Sequence, residues 1–518
     1  MPDRHNTHGG AVACGHDVTA AAAREVLMDG GNAFDAAIAG ICAACVAETA
    51  LCSLAGGGYL LARAGNADPV AYDFFVDTPR NRRARDEIDL YPIHADFGTA
   101  TQEFHVGLGA VATPGITAGL FEIHGDLCRL PIERLVEPAV RVARDGVKIN
   151  RFQAYLFQIL APIYLSTFGA RGIYGDDRAT LPQAGDLFRQ PELADTLECL
   201  AREGPELLYG GELGRRLAAL CESSGGQLAL DDLQAYRVRR RSPLALDYRD
   251  ARIHTTPPPS RGGILIGFAL ALLNEIDVSS GEPWIGTLAE SMRIANKARD
   301  EDPDELLDPA LLDRYRKELL SAPGCNRGTT HISIIDREGN VAAASLSNGE
   351  GCGHVLPGTG IMLNNMLGEE DINPEGFQCW QPGTRMASMM APTLIERAGG
   401  RTVLGSGGSN RIRSAILQVI SRLIDFGQSP ETAVNAARIH VEGDRISVED
   451  DLSRTENAAL EKTGLSIDRW QERNMFFGGV HVVDDRPDGI HAVGDLRRGG
   501  VGLKLPWPAS GDPPRAIR

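Results

Sequence analysis

Apolar and polar residues alternate most clearly over residues 330–335, where polar side chains separate Ile332 and Ile334. A period of two is typical of a half-buried β-strand. The next segment, 336–340, is polar and contains Gly339, which predicts a turn, and residues 341–346 predict a returning strand. The pattern therefore predicts a β-hairpin over residues 330–346.

The front of the chain has a helical pattern instead. Residues 18–46 are rich in alanine, and the break at Gly30, Gly31 and Asn32 predicts the end of one helix and the start of another. Helices at the front and paired strands towards the back favour one α/β (α+β) unit with an interior sheet layer. Further predicted helices cover 132–145, 264–273 and 411–426, and further predicted strands lie within 56–61, 70–76, 244–256, 393–395, 402–404, 446–448 and 479–483.

The composition limits the kinds of binding partner that are expected. The 518 residues are 43% hydrophobic and carry a net charge of −17, so nucleic acid and anionic membrane surfaces are not expected partners. The N-terminus shows no apolar signal region, and the most apolar stretch, 36–62, contains Glu48, which favours a buried helix over a membrane span. We therefore expect a cytoplasmic protein.

Cysteines and metal ligands suggest no redox centre or metal centre. Ten cysteines in a cytoplasmic chain are expected to be reduced. Cys42 and Cys45 have the spacing of a metal or redox pair, but they lie among alanines without a second pair, which favours buried apolar packing. No cofactor motif is present, and we predict neither a metal nor a cofactor.

The residues before the predicted hairpin are candidates for chemistry. Thr329 directly follows Gly328 at the head of the strand. A self-cleaving hydrolase would carry its nucleophile there, because cutting the Gly328–Thr329 bond gives Thr329 a hydroxyl and a free α-amine. Alone this pattern is weak, since a threonine at the start of a strand is usually only that.

A series of short motifs extends this local pattern over nearly the whole chain. They lie at residues 30–37, 56–58, 112–115, 137–146, 257–263, 329–331, 357–365, 391–393, 405–409 and 495–500. In this order they resemble the gamma-glutamyltransferase (gamma-glutamyl transpeptidase) family of N-terminal-nucleophile hydrolases, of which the chain is a divergent relative.

The resemblance implies a four-layer αββα sandwich and a proenzyme that cuts itself before Thr329. Residues 1–328 would form the large subunit and 329–518 the small one, interlocked in one domain as a heterodimer that can pair further. Gly328 lacks a Cβ, so the scissile peptide can adopt a strained geometry. The freed α-amine has an ordinary pKa of about 7.7–8.0 and can accept a proton near neutral pH.

The resemblance also implies roles in catalysis. Thr329 would attack an amide carbonyl, and the Gly407 and Gly408 amides would bind the oxyanion. Because Ser406 stands where the family usually has a proline, the oxyanion pair can also be Gly408 and Ser409.

Side chains near the nucleophile receive supporting roles. Ser347 matches a second hydroxyl that the family places near the nucleophile, with Ser345 as the alternative. Thr330 would orient the site. His331 is expected to be structural, because the α-amine already supplies the base.

The pocket for the amino-acid head-group departs from the family pattern. Phe75 stands in place of an arginine that binds the α-carboxylate. Of two paired serines only Ser388 remains, with Met389 in the second position. Charge-assisted hydrogen bonds are worth about 1.5–3 kcal/mol each, so a carboxylate would lose much of its binding energy here. Alternatively another arginine reaches the pocket; the candidates are Arg80, Arg385 and Arg411.

The side that would bind the α-amine is partly retained. Met366 replaces a glutamine, whereas Glu369 and Asn348 can still contact an amine.

The sequence is compatible with three functions. The first is cleavage of γ-glutamyl (glutathione-like) amides through an acyl-enzyme, with transfer of the acyl group to water or an amine. The second is hydrolysis of a non-glutamyl acyl amide. The third is a processed, inactive relative that binds a metabolite. In each case the expected partner is a small molecule.

Overall fold

A computed structural model describes residues 8–96, 101–274, 276, 278, 284–298, 302–303, 305–309, 311–312, 315, 329–373 and 376–506. The strands are β1 (His8–Cys14), β2 (Gly57–Arg63), β3 (Val70–Phe74), β4 (Tyr91–Asp96), β5 (Thr101–Val106), β6 (Val147–Lys148), β7 (Leu187–Phe188), β8 (Arg239–Arg241), β9 (Leu244–Tyr248), β10 (Ala251–Thr255), β11 (Thr330–Asp336), β12 (Val341–Ser347), β13 (Thr393–Arg397), β14 (Gly400–Gly407), β15 (Ile439–Glu442), β16 (Arg445–Glu449), β17 (Ser466–Trp470), β18 (Gly479–Arg486), β19 (Gly489–Val493) and β20 (Val501–Pro506).

The α-helices cover much of the remaining chain. They are α1 (Asp17–Met28), α2 (Ala33–Ala47), α3 (Ile116–Leu127), α4 (Ile132–Asp145), α5 (Arg151–Ile159), α6 (Ala161–Tyr164), α7 (Phe168–Tyr174), α8 (Pro191–Glu203), α9 (Glu206–Tyr209), α10 (Glu212–Ser223), α11 (Leu230–Ala235), α12 (Arg261–Leu273), α13 (Trp284–Lys297), α14 (Arg411–Ile424), α15 (Pro430–Asn435) and α16 (Arg454–Glu461).

The first sheet contains seven strands in the order β20-β1-β11-β12-β2-β3-β8, all paired antiparallel. Strands β1, β2, β3 and β8 precede Thr329 in the chain, whereas β11, β12 and β20 follow it. Chain segments from both sides of the predicted cut therefore alternate within one sheet. The cut itself remains a prediction, and Gly328 lies outside the described residues.

The second sheet packs on the first. Its order is β19-β18-β14-β13-β10-β9. Apolar side chains from both sheets fill the space between them, among them Leu61, Ile335, Val341, Val403 and Val483.

Helices cover the two outer faces. Helices α1 and α2 pack on the first sheet, against residues such as Ile332 and Ile334. Helices α12, α13 and α14 cover the second sheet. The order helix, sheet, sheet, helix is the predicted αββα sandwich of the N-terminal-nucleophile type.

Many local predictions are confirmed. The hairpin is β11–β12, with a hydrogen bond from the Gly339 amide to the Asp336 carbonyl in its turn. At the predicted break, the Asn32 side chain accepts hydrogen bonds from the Phe34 and Asp35 amides and caps α2. Two kinds of feature are absent from the described residues. No helix there is both long and apolar enough to span a bilayer. No group of three or more histidine, cysteine, aspartate or glutamate side chains is placed to hold a metal ion there.

Candidate active site

Thr329 lies at one end of a row of residues that crosses four neighbouring strands. Thr330 pairs with Leu346, and Ser347 pairs with Gly57, while Gly58 pairs with Phe74. The neighbouring row therefore contains Thr329, Ser347, Gly57 and Phe75. Strands are about 4.8 Å apart, so the backbones of Thr329 and Phe75 lie roughly 14 Å apart along this row.

This row faces the space between the two sheets. Side chains alternate along a strand, so Thr329 shares its face with Ile335, and Ser347 shares its face with Val341. Ile335 and Val341 both belong to the apolar cluster between the sheets. Thr329 and Ser347 are themselves 4% and 3% exposed. The structure thus places the predicted nucleophile and second hydroxyl on adjacent strands of one surface.

Thr330 faces the opposite side, towards the helices. Its hydroxyl donates a hydrogen bond to Glu48 Oε2 at 2.6 Å, and Thr19 donates to Glu48 Oε1 at 2.8 Å. Glu48 is buried at the C-terminal end of α2. This network holds the start of β11 in place, which is compatible with the predicted orienting role of Thr330.

His331 uses both ring nitrogens within the protein. Nδ1 lies 2.8 Å from Ser345 Oγ, and Nε2 lies 2.9 Å from Ser333 Oγ. Burial, together with nearby His481, lowers the pKa of His331 well below its usual value, so the ring is neutral. Ser345 is thus bonded to His331, whereas Ser347 Oγ accepts a hydrogen bond from the Gly349 amide at 3.0 Å. This arrangement favours Ser347 over Ser345 as the hydroxyl beside Thr329.

Gly407 lies directly against Thr329, and the next residue, Gly408, lies against Gly478 and Arg498. A Cβ added to Gly407 would come within 1.6 Å of the Thr329 carbonyl oxygen. Gly408 has φ +122°, a conformation that favours glycine. Close approach to Thr329 therefore explains Gly407, and the backbone conformation explains Gly408. Their role as oxyanion donors, and the alternative pair Gly408 and Ser409, stay predictions.

Arg498 is a neighbour of Thr329 for which the sequence predicted no role. Its Nη1 donates a hydrogen bond to the Thr329 carbonyl oxygen at 3.0 Å, although 168 residues separate the two in the chain. The guanidinium is buried, and this burial, with Arg411 nearby, lowers its pKa to about 9. The only signal in the sequence was the motif at 495–500, which carried no residue-specific expectation.

The residues predicted to bind an amine lie together. A Cβ on Gly349 would lie 2.5 Å from Glu369 Oε1 and 2.0 Å from Asn365 Oδ1, so both side chains surround Gly349. Asn348 directly precedes Gly349, and its Nδ2 lies 3.4 Å from the Met362 carbonyl oxygen. This cluster follows Ser347 and therefore adjoins the row that contains Thr329.

The corner around Phe75 is apolar. Phe75 is 1% exposed, and its ring stacks on Tyr59 with the centroids 5.9 Å apart. Met366, Trp380 and Met390 belong to the same cluster. The arginine and the glutamine of the family pattern are thus both replaced within one apolar cluster.

Ser388 and Met389 are placed differently from Phe75. Met389 packs into the core between the second sheet and its helices. Ser388 Oγ accepts a hydrogen bond from the Met390 amide at 3.0 Å. Met389 therefore does not join Phe75, and Met390 is the methionine that does.

The three alternative arginines do not replace the missing one in this structure. All three nitrogens of Arg385 already donate, Nε to Asp77, Nη1 to Asp73 and Nη2 to the Arg237 carbonyl. The side chains of the other two candidates are placed elsewhere: Arg80 is exposed, and Arg411 Nε donates to the Phe476 carbonyl.

Comparison with known proteins agrees with this architecture. A family profile described as Gamma-glutamyltranspeptidase matches residues 19–505. The chain is 30% identical over 512 residues to the Acylase ACY 1 proenzyme of Pseudomonas sp. (strain V22), covering 93% of this chain and 90% of the relative. It is 29% identical over 487 residues to the Glutathione hydrolase proenzyme of Escherichia coli (strain K12), covering 86% and 83%.

A solved structure shares the fold. The cephalosporin acylase from Bacillus halodurans superposes with a TM-score of 0.85 over 98% of both chains at 24% identity. Relatives with two different activities thus share this scaffold. From the profile match and these relatives, the chain belongs to the gamma-glutamyltranspeptidase family of N-terminal-nucleophile hydrolases and is an enzyme of that class.

Proposed function

We propose that the chain cuts itself between Gly328 and Thr329 and then hydrolyses or transfers acyl groups from small-molecule amides. The observation that carries this proposal is the position of Thr329. It is buried at the head of β11, beside Ser347 on the next strand and against Gly407 of the second sheet. The two fragments would stay together as a heterodimer, because their strands alternate in the first sheet.

The chemistry uses the new N-terminus. The α-amine of Thr329 accepts the hydroxyl proton while Oγ attacks the amide carbon. Backbone amides near Gly407 and Gly408 would stabilise the oxyanion, and the proton then passes to the departing amine. Water or an acceptor amine resolves the acyl-enzyme ester. Buried Ser347 adds a hydroxyl beside the reacting atoms.

We infer that the acyl group of the substrate has no carboxylate at the position where a glutamyl group has its α-carboxylate. That corner is filled by Phe75, Tyr59 and Met366, and Arg385 is already bonded to two aspartates. A carboxylate buried there would lack a positive partner, which is costly. An acyl chain that is apolar at this point fits the surroundings better. The acylase named among the relatives supports cleavage of acyl amides in general.

A second candidate is hydrolysis of γ-glutamyl amides. Asn348 and Glu369 lie around Gly349, where the α-amine of a glutamyl group would be expected. The glutathione hydrolase named among the relatives supports this candidate. The apolar corner counts against it.

Intact mass and denaturing gels test self-cleavage. The purified wild type should give two fragments that match residues 1–328 and 329–518, and Thr329→Ala should remain full length. The two wild-type fragments should co-elute in native size-exclusion chromatography. A full-length wild type that does not cleave on prolonged incubation would refute the proposal.

A matched panel of anilides tests the acyl group. We expect turnover of alkanoyl and arylacetyl p-nitroanilides to exceed that of the γ-glutamyl compound by at least about tenfold, a difference of ~1.4 kcal/mol. Preferred turnover of the γ-glutamyl anilide, lost in Glu369→Gln but kept in the exposed-site control Glu103→Gln, would favour the second candidate. Failure to trap a stoichiometric acyl-enzyme with any member would support an inactive, metabolite-binding relative.

A further inference from the structure

Arg498 packs against two glycines where it contacts Thr329. A Cβ on Gly479 would lie 2.5 Å from Arg498 Cδ, and one on Gly407 would lie 3.0 Å from Nη1. Gly407 and Gly479 are cross-strand partners on β14 and β18. Gly407 ends β14 and Gly479 begins β18. Side chains at these points would displace the arginine, so the two glycines leave room for Arg498 at this end of the second sheet.

The Arg498 guanidinium has little compensation for its charge. Its described hydrogen bonds go to two carbonyl oxygens, Thr329 at 3.0 Å and Met475 at 3.4 Å, and its Nε is buried without a partner. Within the described residues it makes no ion pair, since nearby Asp495 is bound by Arg438 at 2.6 Å and by Arg497 at 3.3 Å. An uncompensated buried cation costs free energy, so its position beside the nucleophile calls for a function.

The other charged groups around this point do not remove the positive field. Glu48 is the nearest additional carboxylate, but it lies on the helix side of β11 and accepts hydrogen bonds from Thr19 and Thr330. His331 and His481 are neutral because burial lowers their pKa. The groups that face the site from the surrounding elements are Glu48 after α2, Arg411 on α14, Arg438 before β15, Asp495 after β19, His331 on β11, His481 on β18, and Glu369 after β12.

We propose that Arg498 is a positioning residue that holds the Thr329 carbonyl and, as a nearby cation, keeps the freed Thr329 α-amine neutral so that it can act as the base. This inference rests on the proposed self-cleavage. Backbone geometry puts the α-amine of Thr329 roughly 3 Å from its own carbonyl oxygen, so the guanidinium lies within roughly 6 Å of the amine. A like charge at that range disfavours protonation of the amine.

The pH dependence of activity should report the protonation of the Thr329 α-amine. Protonated amine cannot accept the hydroxyl proton, so activity falls as pH drops through the pKa of the amine. With Arg498 present, this acid limb lies below the ordinary value of about 7.7–8.0. Without the cation, the limb moves up in pH and the enzyme loses activity at neutral pH.

The experiment compares pH profiles of kcat/KM for the processed wild type, Arg498→Met, Arg498→Lys and Arg252→Gln. Arg252 is an exposed arginine on β10, 47% exposed, and controls for the loss of one positive charge. The neutral variant should raise the pKa of the acid limb by about one unit. Arg498→Lys should change this pKa by only a fraction of a unit, and Arg252→Gln should leave the pKa unchanged.

A second readout does not need a substrate. Reductive methylation by formaldehyde and cyanoborohydride modifies the neutral amine, and trypsin releases the N-terminal peptide 329–337 for mass measurement. The pH at half-maximal rate should shift upwards in Arg498→Met in parallel with the kinetic limb. If Arg498→Met does not process, Arg411→Gln removes the neighbouring cation and should give a smaller shift in the same direction.

The outcomes separate this inference from the proposed function. A wild type without a fragment starting at Thr329 refutes self-cleavage before any titration, and the inference with it. A processed, active wild type whose acid limb is the same in the neutral variants overturns the inference alone. A raised KM for carboxylate-bearing substrates without a shifted limb would overturn it as well and make Arg498 a substrate-binding residue.

Discussion

The two ends of the row that contains Thr329 and Phe75 have opposite chemistry. At the first end, polar groups are buried and bonded: Thr330 to Glu48, His331 to two serines, and Arg498 to the Thr329 carbonyl. At the other end, Phe75 packs among aromatic and sulfur-containing side chains. Under the proposed function, reaction chemistry and substrate recognition would depend on different physical interactions within one sheet. The polar end could then be retained while the apolar end takes a different ligand.

The largest effect is expected from a charge placed in the apolar end. Phe75→Arg should lower the free energy of unfolding by about 3–5 kcal/mol, because the buried guanidinium would lack a free carboxylate. Asp73, the nearest acid along the strand, is already bound by Arg241 and Arg385. Urea unfolding measures the change, and Phe75→Leu is the control, with a loss below about 1.5 kcal/mol. An arginine variant of wild-type stability that gains γ-glutamyl turnover would contradict this view of the corner.

Acid should lower the free energy of unfolding through the buried histidines of the polar end. Burial lowers the pKa of His481 to about 4. Unfolding lets this ring protonate at its ordinary pKa of about 6.5, so its contribution is complete above that pH and is lost as pH falls towards 4, about 3 kcal/mol in all. His331 acts in the same direction. Urea unfolding at pH 7.5, 6 and 5 should show the decline.

A pair of histidine variants locates this acid effect. His481→Gln should flatten the pH dependence, whereas His94→Gln, at a side chain that is 64% exposed, should not. Equal slopes in both variants would show that the acid sensitivity arises elsewhere.

A smaller effect is expected at the bond between Thr330 and Glu48. Thr330→Val keeps the shape but leaves a buried carboxylate oxygen without its donor, which should cost about 1.5–3 kcal/mol. Thr330→Ser keeps the hydroxyl and should cost less. Thermal unfolding compares the two variants. A valine variant as stable as the serine variant would show that this hydrogen bond does not stabilise the polar end.

Local structure was largely predictable, whereas contacts between distant segments were not. The hairpin β11–β12 and the capped start of α2 follow from short patterns, and both were predicted. Strands β1 and β20 at the termini were missed. Residues 8–14 include two glycines and small side chains, so their strand depends on pairing with β11 and β20.

In the candidate site, too, residue identities were predictable from the sequence, whereas contacts between distant segments were not. Thr329 and Ser347 were selected from sequence motifs, and the register between strands places them side by side. Met389 was expected beside Phe75, but it packs in another core, because neighbouring residues of an extended segment point to opposite sides.

The sequence by itself determined the family, the candidate nucleophile and the loss of the head-group arginine, since these depend on residue identity at positions within short motifs. Only the tertiary structure decided that Arg385 is bound by two aspartates and that Arg498 donates a hydrogen bond to the Thr329 carbonyl. The physical reason is that periodicity specifies which face of an element is buried. It does not specify which distant charged side chains lie together in the interior. Those pairings determine the free energy that burying each charge costs and whether the charged group can act at the site.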